Sequence, residues 1–142
     1  MIRATWSVRI ERPAEEVFDY IADVDHEPEW NPGVSNVVRT SPGPIGLGAV
    51  WEGDTRRIGH QVATIEVYER PRLLSFDARS PRSELRIRFE LEPDGDGATI
   101  VTCAGELTTK GPLRLLEPLL ARTMRRRSRH ERPAALKAAL ER

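Results

Sequence analysis

The chain is expected to be an α+β protein in which a curved antiparallel sheet grips one long C-terminal helix. Three observations predict this. Gly111 to Arg142 reads as a single helix with prolines at which it can kink. Most of the chain before it is a series of alternating stretches separated by short Gly- and Pro-rich turns, and consecutive strands joined by short turns pair antiparallel. Only Pro13 to Trp30, after the first strand, reads as helical. A lone amphipathic helix following a strand-rich chain must bury its apolar face on the sheet, and the two surfaces leave room for a pocket between them.

Thr5 to Glu11 alternates, with Trp6, Val8 and Ile10 on one face, and is the first strand. Pro13-Ala14-Glu15-Glu16 opens a helix, with proline early and acids in the first turn to suit the helix dipole; Val17, Phe18, Ile21 and Ala22 form its buried face. Asp23 to Trp30 is a turn and a second short helix, closed by Asn31-Pro32-Gly33. Val34 to Arg39 is the next strand. Ala49 to Arg57 and His60 to Glu69 form a hairpin, followed by Leu73 to Arg79. In Glu84 to Glu92, Leu85, Ile87, Phe89 and Leu91 alternate strictly with charged residues. Pro93 to Gly97 is a hairpin turn, and Ala98 to Thr109 is the last strand. In the C-terminal helix, Leu113, Leu116, Leu120 and Met124 set an inward stripe that Leu115 and Leu119 widen. Pro118 should bend or split off its first turns, and Pro133 is a second break. The stripe fails from Arg125 to Arg132, where the next inward position is the small, polar Ser128; Leu136 and Leu140 restore it. The gap reads either as a solvated basic face or as a place where a cavity admits no large side chain, and a helix has faces enough for both.

At 142 residues one domain, 1–142, is expected. Its 22 basic and 22 acidic residues balance, so electrostatics give no reason to expect nucleic acid as a partner. Arg125, Arg126, Arg127, Arg129 and Arg132 are read as a solvated helix face. No apolar run approaches the ~18 residues of a membrane span, and the alternating N-terminus lacks a signal-peptide core, so no stable membrane insertion and a cytoplasmic location are expected. Cys103 is alone and cannot form an internal disulfide; beside Val101 and Gly105 it reads as a core residue rather than a nucleophile. A homodimer is left open.

No set of side chains converges on a chemistry. His26, His60 and His130 lie in separate elements without metal-ligand spacing, so no metal and no cofactor is expected. Asp23, Asp25, His26, Glu27 and Glu29 read as helix capping in a solvated turn rather than as an acid–base site, and Glu52 and Asp54 as outward-facing. His60, if turned inward, would be a candidate general base. Catalytic residues are therefore unassigned.

The order of elements, together with certain residues in their places, resembles the START-like superfamily, also called Bet v 1-like, SRPBCC or helix-grip, and within it the bacterial polyketide cyclase/dehydrase and lipid-transport branch. The residues carrying the likeness are Ile10 to Phe18, Glu29-Trp30-Asn31-Pro32, Gly46-Leu47-Gly48, Glu69-Arg70-Pro71-Arg72-Leu73 and Gly111-Pro112-Leu113. Together they span nearly the whole chain. Pro133 departs from the apolar residue usual at its position. The resemblance implies a sheet of about six or seven strands wrapped around the long helix, two short helices after the first strand, and a hollow for a hydrophobic small molecule such as a lipid, quinone or polyketide-like compound. In that hollow a carrier would bind its ligand, or a cyclase or dehydratase would act on it. The fold hosts many functions and selects none.

A hollow is costly: roughly 300 Å³ of dry void would cost about 7 kcal/mol on the scale of large-to-small core mutants. A pocket should therefore hold ligand or water. Strand parity and the helix stripe nominate Trp51, Ile65, Phe76, Ile87, Phe89, Val101, Cys103, Leu120, Met124 and Ser128 as its lining.

Overall fold

The computed structural model describes residues 1–56 and 58–142. Seven strands form one antiparallel sheet in the order β1-β7-β6-β5-β4-β3-β2. They are β1 (Ile2–Ile10), β2 (Val34–Arg39), β3 (Val50–Thr55), β4 (Gly59–Glu69), β5 (Leu73–Ser80), β6 (Ser83–Pro93) and β7 (Thr99–Thr109). The expected end of the third strand at Arg57 lies outside the described residues. Helix α1 (Ala14–Ala22) and a 3-10 turn (Val24–Glu29) follow β1. A 3-10 turn (Gly111–Leu116), α2 (Glu117–Arg129) and α3 (Glu131–Leu140) close the chain. This is the START-like helix-grip architecture.

Register shifts between Ser35 and Val38 on β2, and between Ile65 and Val67 on β4, mark irregular pairing. Extra residues of this kind bend a strand and increase its twist, which helps the sheet curve around the helix. Asn36, inside the first shift, has φ +52°, a left-handed conformation that asparagine tolerates better than most residues, and its side-chain amide donates to Asp54 Oδ2.

The C-terminal helix comes in pieces for backbone reasons. Pro118 lies in the first turn of α2, where a missing N–H costs little. Pro133 has no N–H for the carbonyl of Arg129, and its ring crowds that carbonyl. The chain breaks between the two at His130 (φ −136°, ψ −46°) and winds again as α3. Pro133 itself is buried.

Of the expected stripe, Leu113 and Leu120 pack with Ile2 and Leu107 in a small cluster at one end of the sheet. Leu115, Leu116 and Leu119 are exposed, contrary to the stripe read from the sequence. The segment to Leu116 winds at three residues per turn and the rest at 3.6, so positions before and after the junction do not share a phase. The main core joins Trp6, Ile10, Val17, Phe18, Trp51, Ile65, Leu74, Phe89, Val101 and Leu136. Polar contacts fasten α3 to the first strand: Lys137 Nζ donates to the Arg9 carbonyl (3.0 Å), and the Glu11 N–H donates to Glu141 Oε2 (2.8 Å).

Candidate ligand cavity

Inward side chains of the sheet, the turn Val24–Glu29 and the C-terminal helix line a cavity of about 160 Å³. If dry and empty it would cost about 4 kcal/mol, less than the larger void considered from sequence but still a large part of a domain's ~5–15 kcal/mol.

The apolar wall follows strand parity. Trp51, Phe76, Ile87, Phe89, Cys103, Met124 and Ser128 line the cavity. Ile65, Val101 and Leu120 do not. Ile65 (1% exposed) and Val101 (0%) have the inward parity expected of them but are packed over by the main core, and Leu120 belongs to the small end cluster. Ser128 is buried, where the stripe has its small residue. Gly105 also lines the wall and leaves space, since a Cβ built there would meet only the Ala4 carbonyl oxygen, at 3.9 Å.

Sequence reasoning missed the polar part of the wall. Glu27, Asn31, Gln61 and Arg132 line the same cavity. A 3-10 turn repeats every three residues, so Val24, Glu27 and Trp30 share one face, and Val24 and Trp30 are buried. Glu27 is thereby separated from the solvated cluster in which its sequence neighbours stand. Asp23 caps the turn by accepting from the Asp25 N–H, and His26 and Tyr20 both bond Glu29. Glu27 instead accepts from Asn31 Nδ2 at 3.4 Å. Burial raises its pKa, against the opposing pull of Arg132.

Arg132 stands in the first turn of α3, one turn before the buried Leu136, and lines the cavity rather than joining the solvated arginines. Burial lowers its pKa, but a guanidinium starts so high that it stays charged. Cys103 is held as a neutral thiol, its pKa pushed up by burial to about 12, which fits the core role expected of it. Two nitrogens of wall residues are buried without a hydrogen-bond partner: Trp51 Nε1 and Gln61 Nε2. Gln61 Oε1 already accepts from Thr55 Oγ1 at 2.8 Å.

Neither tyrosine and none of the three histidines is among the wall residues. His60 is exposed and bridges two carboxylates, Glu52 Oε1 at 2.8 Å and Asp54 Oδ1 at 3.0 Å; Asp54 stays off the cavity wall as expected, whereas Glu52, expected to face outward, is one of the residues that line it. Its hydrogen bond to Glu52, with that to Asp54, raises its pKa above the ordinary value of about 6.5. A raised folded-state pKa means that the bridge stabilises fully below 6.5 and fades as pH rises through the folded value. The melting-temperature difference between wild type and His60→Gln should therefore shrink from pH 6 to pH 9. A difference that stays constant across that range would contradict the bridge.

No group of described residues offers three or more metal-ligating side chains, and no helix among them is long and apolar enough to cross a membrane. The seven-stranded grip and its internal hollow define a START-like protein. The chain belongs to the polyketide cyclase/dehydrase and lipid transport family, which matches residues 1–141. It is similar to a START superfamily protein from Mycobacterium smegmatis at 15% identity, with 98% of this chain and 97% of that one covered and a TM-score of 0.75. An aromatase/cyclase from a Streptomyces species is similar at 15% identity, with 99% and 93% covered and a TM-score of 0.78. A protein from Thermus thermophilus is similar at 14% identity, with 98% and 97% covered and a TM-score of 0.77. At such identities the likeness concerns the fold. No curated protein matches the sequence.

Proposed function

We propose that the chain is a binding or carrier protein for one mostly apolar small molecule, held in the cavity between sheet and C-terminal helix. The observation that carries this is the cavity itself, a costly hollow walled by Trp6, Trp30, Trp51, Phe76, Ile87 and Phe89. Occupancy offsets that cost: a ligand at 100 times its dissociation constant adds about 2.7 kcal/mol to stability. Membership of the family supports the reading without naming a ligand. The ten wall residues nominated from sequence are proposed to act in this role through those that reach the cavity.

The test is native mass spectrometry of the protein as purified from cells, followed by denaturing extraction. A discrete organic mass that leaves on denaturation is expected. An empty protein, unmoved in melting temperature by a panel of lipids, quinones and aromatic polyketides, would overturn the proposal.

A second reading, an enzyme of cyclase or dehydratase type, is favoured by one observation. A half-buried carboxyl whose pKa is raised by desolvation, Glu27, and a guanidinium, Arg132, line the same hollow. Such a pair can supply a proton and stabilise a developing enolate, while the shaped wall holds a flexible substrate in a reactive geometry. Turnover of a poly-β-keto substrate that is lost in Glu27→Gln would establish it.

A further inference from the structure

The cavity has a charge that the protein does not neutralise at contact distance. Among the described residues Arg132 forms no ion pair within 4.0 Å; its neighbour Glu131 pairs with Arg127 instead, and Glu27 acts on it only through space. The groups that act on it through space are Glu27 and Cys103 across the cavity and Arg127 and Glu131 on the helices. None of these provides a contact counter-ion. Cys103 stays a neutral thiol, Arg127 adds positive charge, and Glu131 is mostly exposed and lies 3.9 Å from Arg127. Glu27 is set back from Arg132, and burial favours its uncharged form. Arg132 is half-buried, so its guanidinium has lost part of its water without gaining a counter-ion in contact, and an anion that reaches it restores the lost interaction.

The hydrogen-bond inventory of the wall points the same way. Trp51 Nε1 and Gln61 Nε2 are buried donors without a partner, and the partly buried Arg132 guanidinium on the same wall is a third donor group with no counter-ion in contact. On the acceptor side, Glu27 Oε1 already takes a bond from Asn31, and Gln61 Oε1 one from Thr55. Other acceptors stand on the same wall, Glu27 Oε2 and Asn31 Oδ1 among them, but the strongest donor carries a full positive charge with no counter-ion in contact, and that suits a ligand that brings an anionic acceptor. A planar guanidinium matches a carboxylate with two parallel hydrogen bonds.

We propose that Arg132 is the seat of a carboxylate, so that the molecule held in this cavity is an apolar monocarboxylic acid with its head on α3 and its body against the aromatic wall. The inference rests on the cavity being the ligand site. Glu27, when protonated, is a further donor to the same head and does not repel it. A cavity of this size accepts a benzene-sized group, because an apolar engineered hollow of about 150 Å³ does so. An arylalkyl acid is therefore the matched probe.

The experiment is isothermal titration of the intact chain with phenylbutyric acid, its methyl ester and phenylbutanol at pH 7. The acid should bind at least tenfold tighter than the other two. That preference should vanish in Arg132→Met, persist in weakened form in Arg132→Lys, and survive in Glu27→Gln. Near-ultraviolet circular dichroism checks that each variant is folded, and the wild-type series decides the question by itself if Arg132→Met does not fold. Equal binding of all three probes would overturn the carboxylate seat and leave the cavity as ligand site. Tight acid binding that is unchanged in Arg132→Met would overturn it as well, and would place the anion elsewhere. Binding of none of the three, with no change in melting temperature, would overturn this inference, while the co-purification result decides the broader reading separately.

Discussion

Gly105→Leu will cost the protein at least tenfold in affinity for its ligand while leaving the fold intact or making it more stable. Gly105 lies on β7 between Cys103 and Leu107, and all three line the cavity. Its backbone does not lie in the left-handed region, and a Cβ there meets only the Ala4 carbonyl oxygen, at 3.9 Å, an ordinary contact. The side chain then extends into the hollow that Ser128 and Met124 also line. Each methylene buried adds about 0.8 kcal/mol, and a glycine in a strand interior is itself unfavourable, so melting temperature should rise or hold. Calorimetric titration of phenylbutyric acid and of any co-purified compound, beside a thermal melt, reads both effects. Unchanged affinity in a folded, stabilised variant would place the ligand outside the cavity.

Leu136→Ala is expected to destabilise the protein by about 2–5 kcal/mol, the range for deleting a buried leucine side chain. Leu136 is 0% exposed and is the residue through which α3 enters the main core, on the same face as Arg132 one turn earlier. Chemical denaturation should show the loss in the transition midpoint, and melting temperature should fall by roughly 8–20 °C for a chain of this size. The polar ties of Lys137 to Arg9 and of Glu141 to Glu11 are surface contacts, and contacts of that kind contribute little. A loss below about 1 kcal/mol, the scale of such surface contacts, would mean that these ties, and not the leucine, hold α3 in place.

Much of this molecule is legible in its sequence because the signals are local and periodic. The alternation of Leu85, Ile87, Phe89 and Leu91 against charges is enough to place β6 and its inner face. Ser128 could be read as a gap in the helical stripe because residues before and after it continue the four-residue step. The START-like order of elements was equally legible, since short turns between strands leave few other topologies.

Other features were decided by the tertiary structure. Whether an inward residue touches the cavity or is covered by neighbours depends on packing that strand parity cannot supply, as Ile65 and Val101 show against Ile87 and Cys103. Glu27 and Arg132 stand in charged runs that read as solvated from sequence, although each lies at the spacing of buried neighbours, three residues from Val24 and Trp30 and four from Ser128 and Leu136. Composition outweighed position in that reading because a buried charge is costly and therefore rare. By itself the sequence determined the α+β class, the order of the elements and the apolar faces of the strands, all of which follow from period and turn chemistry along the chain. Only the folded structure brought a carboxyl from the 3-10 turn and a guanidinium from α3 into one hollow, because that meeting depends on how distant segments pack and not on any local pattern.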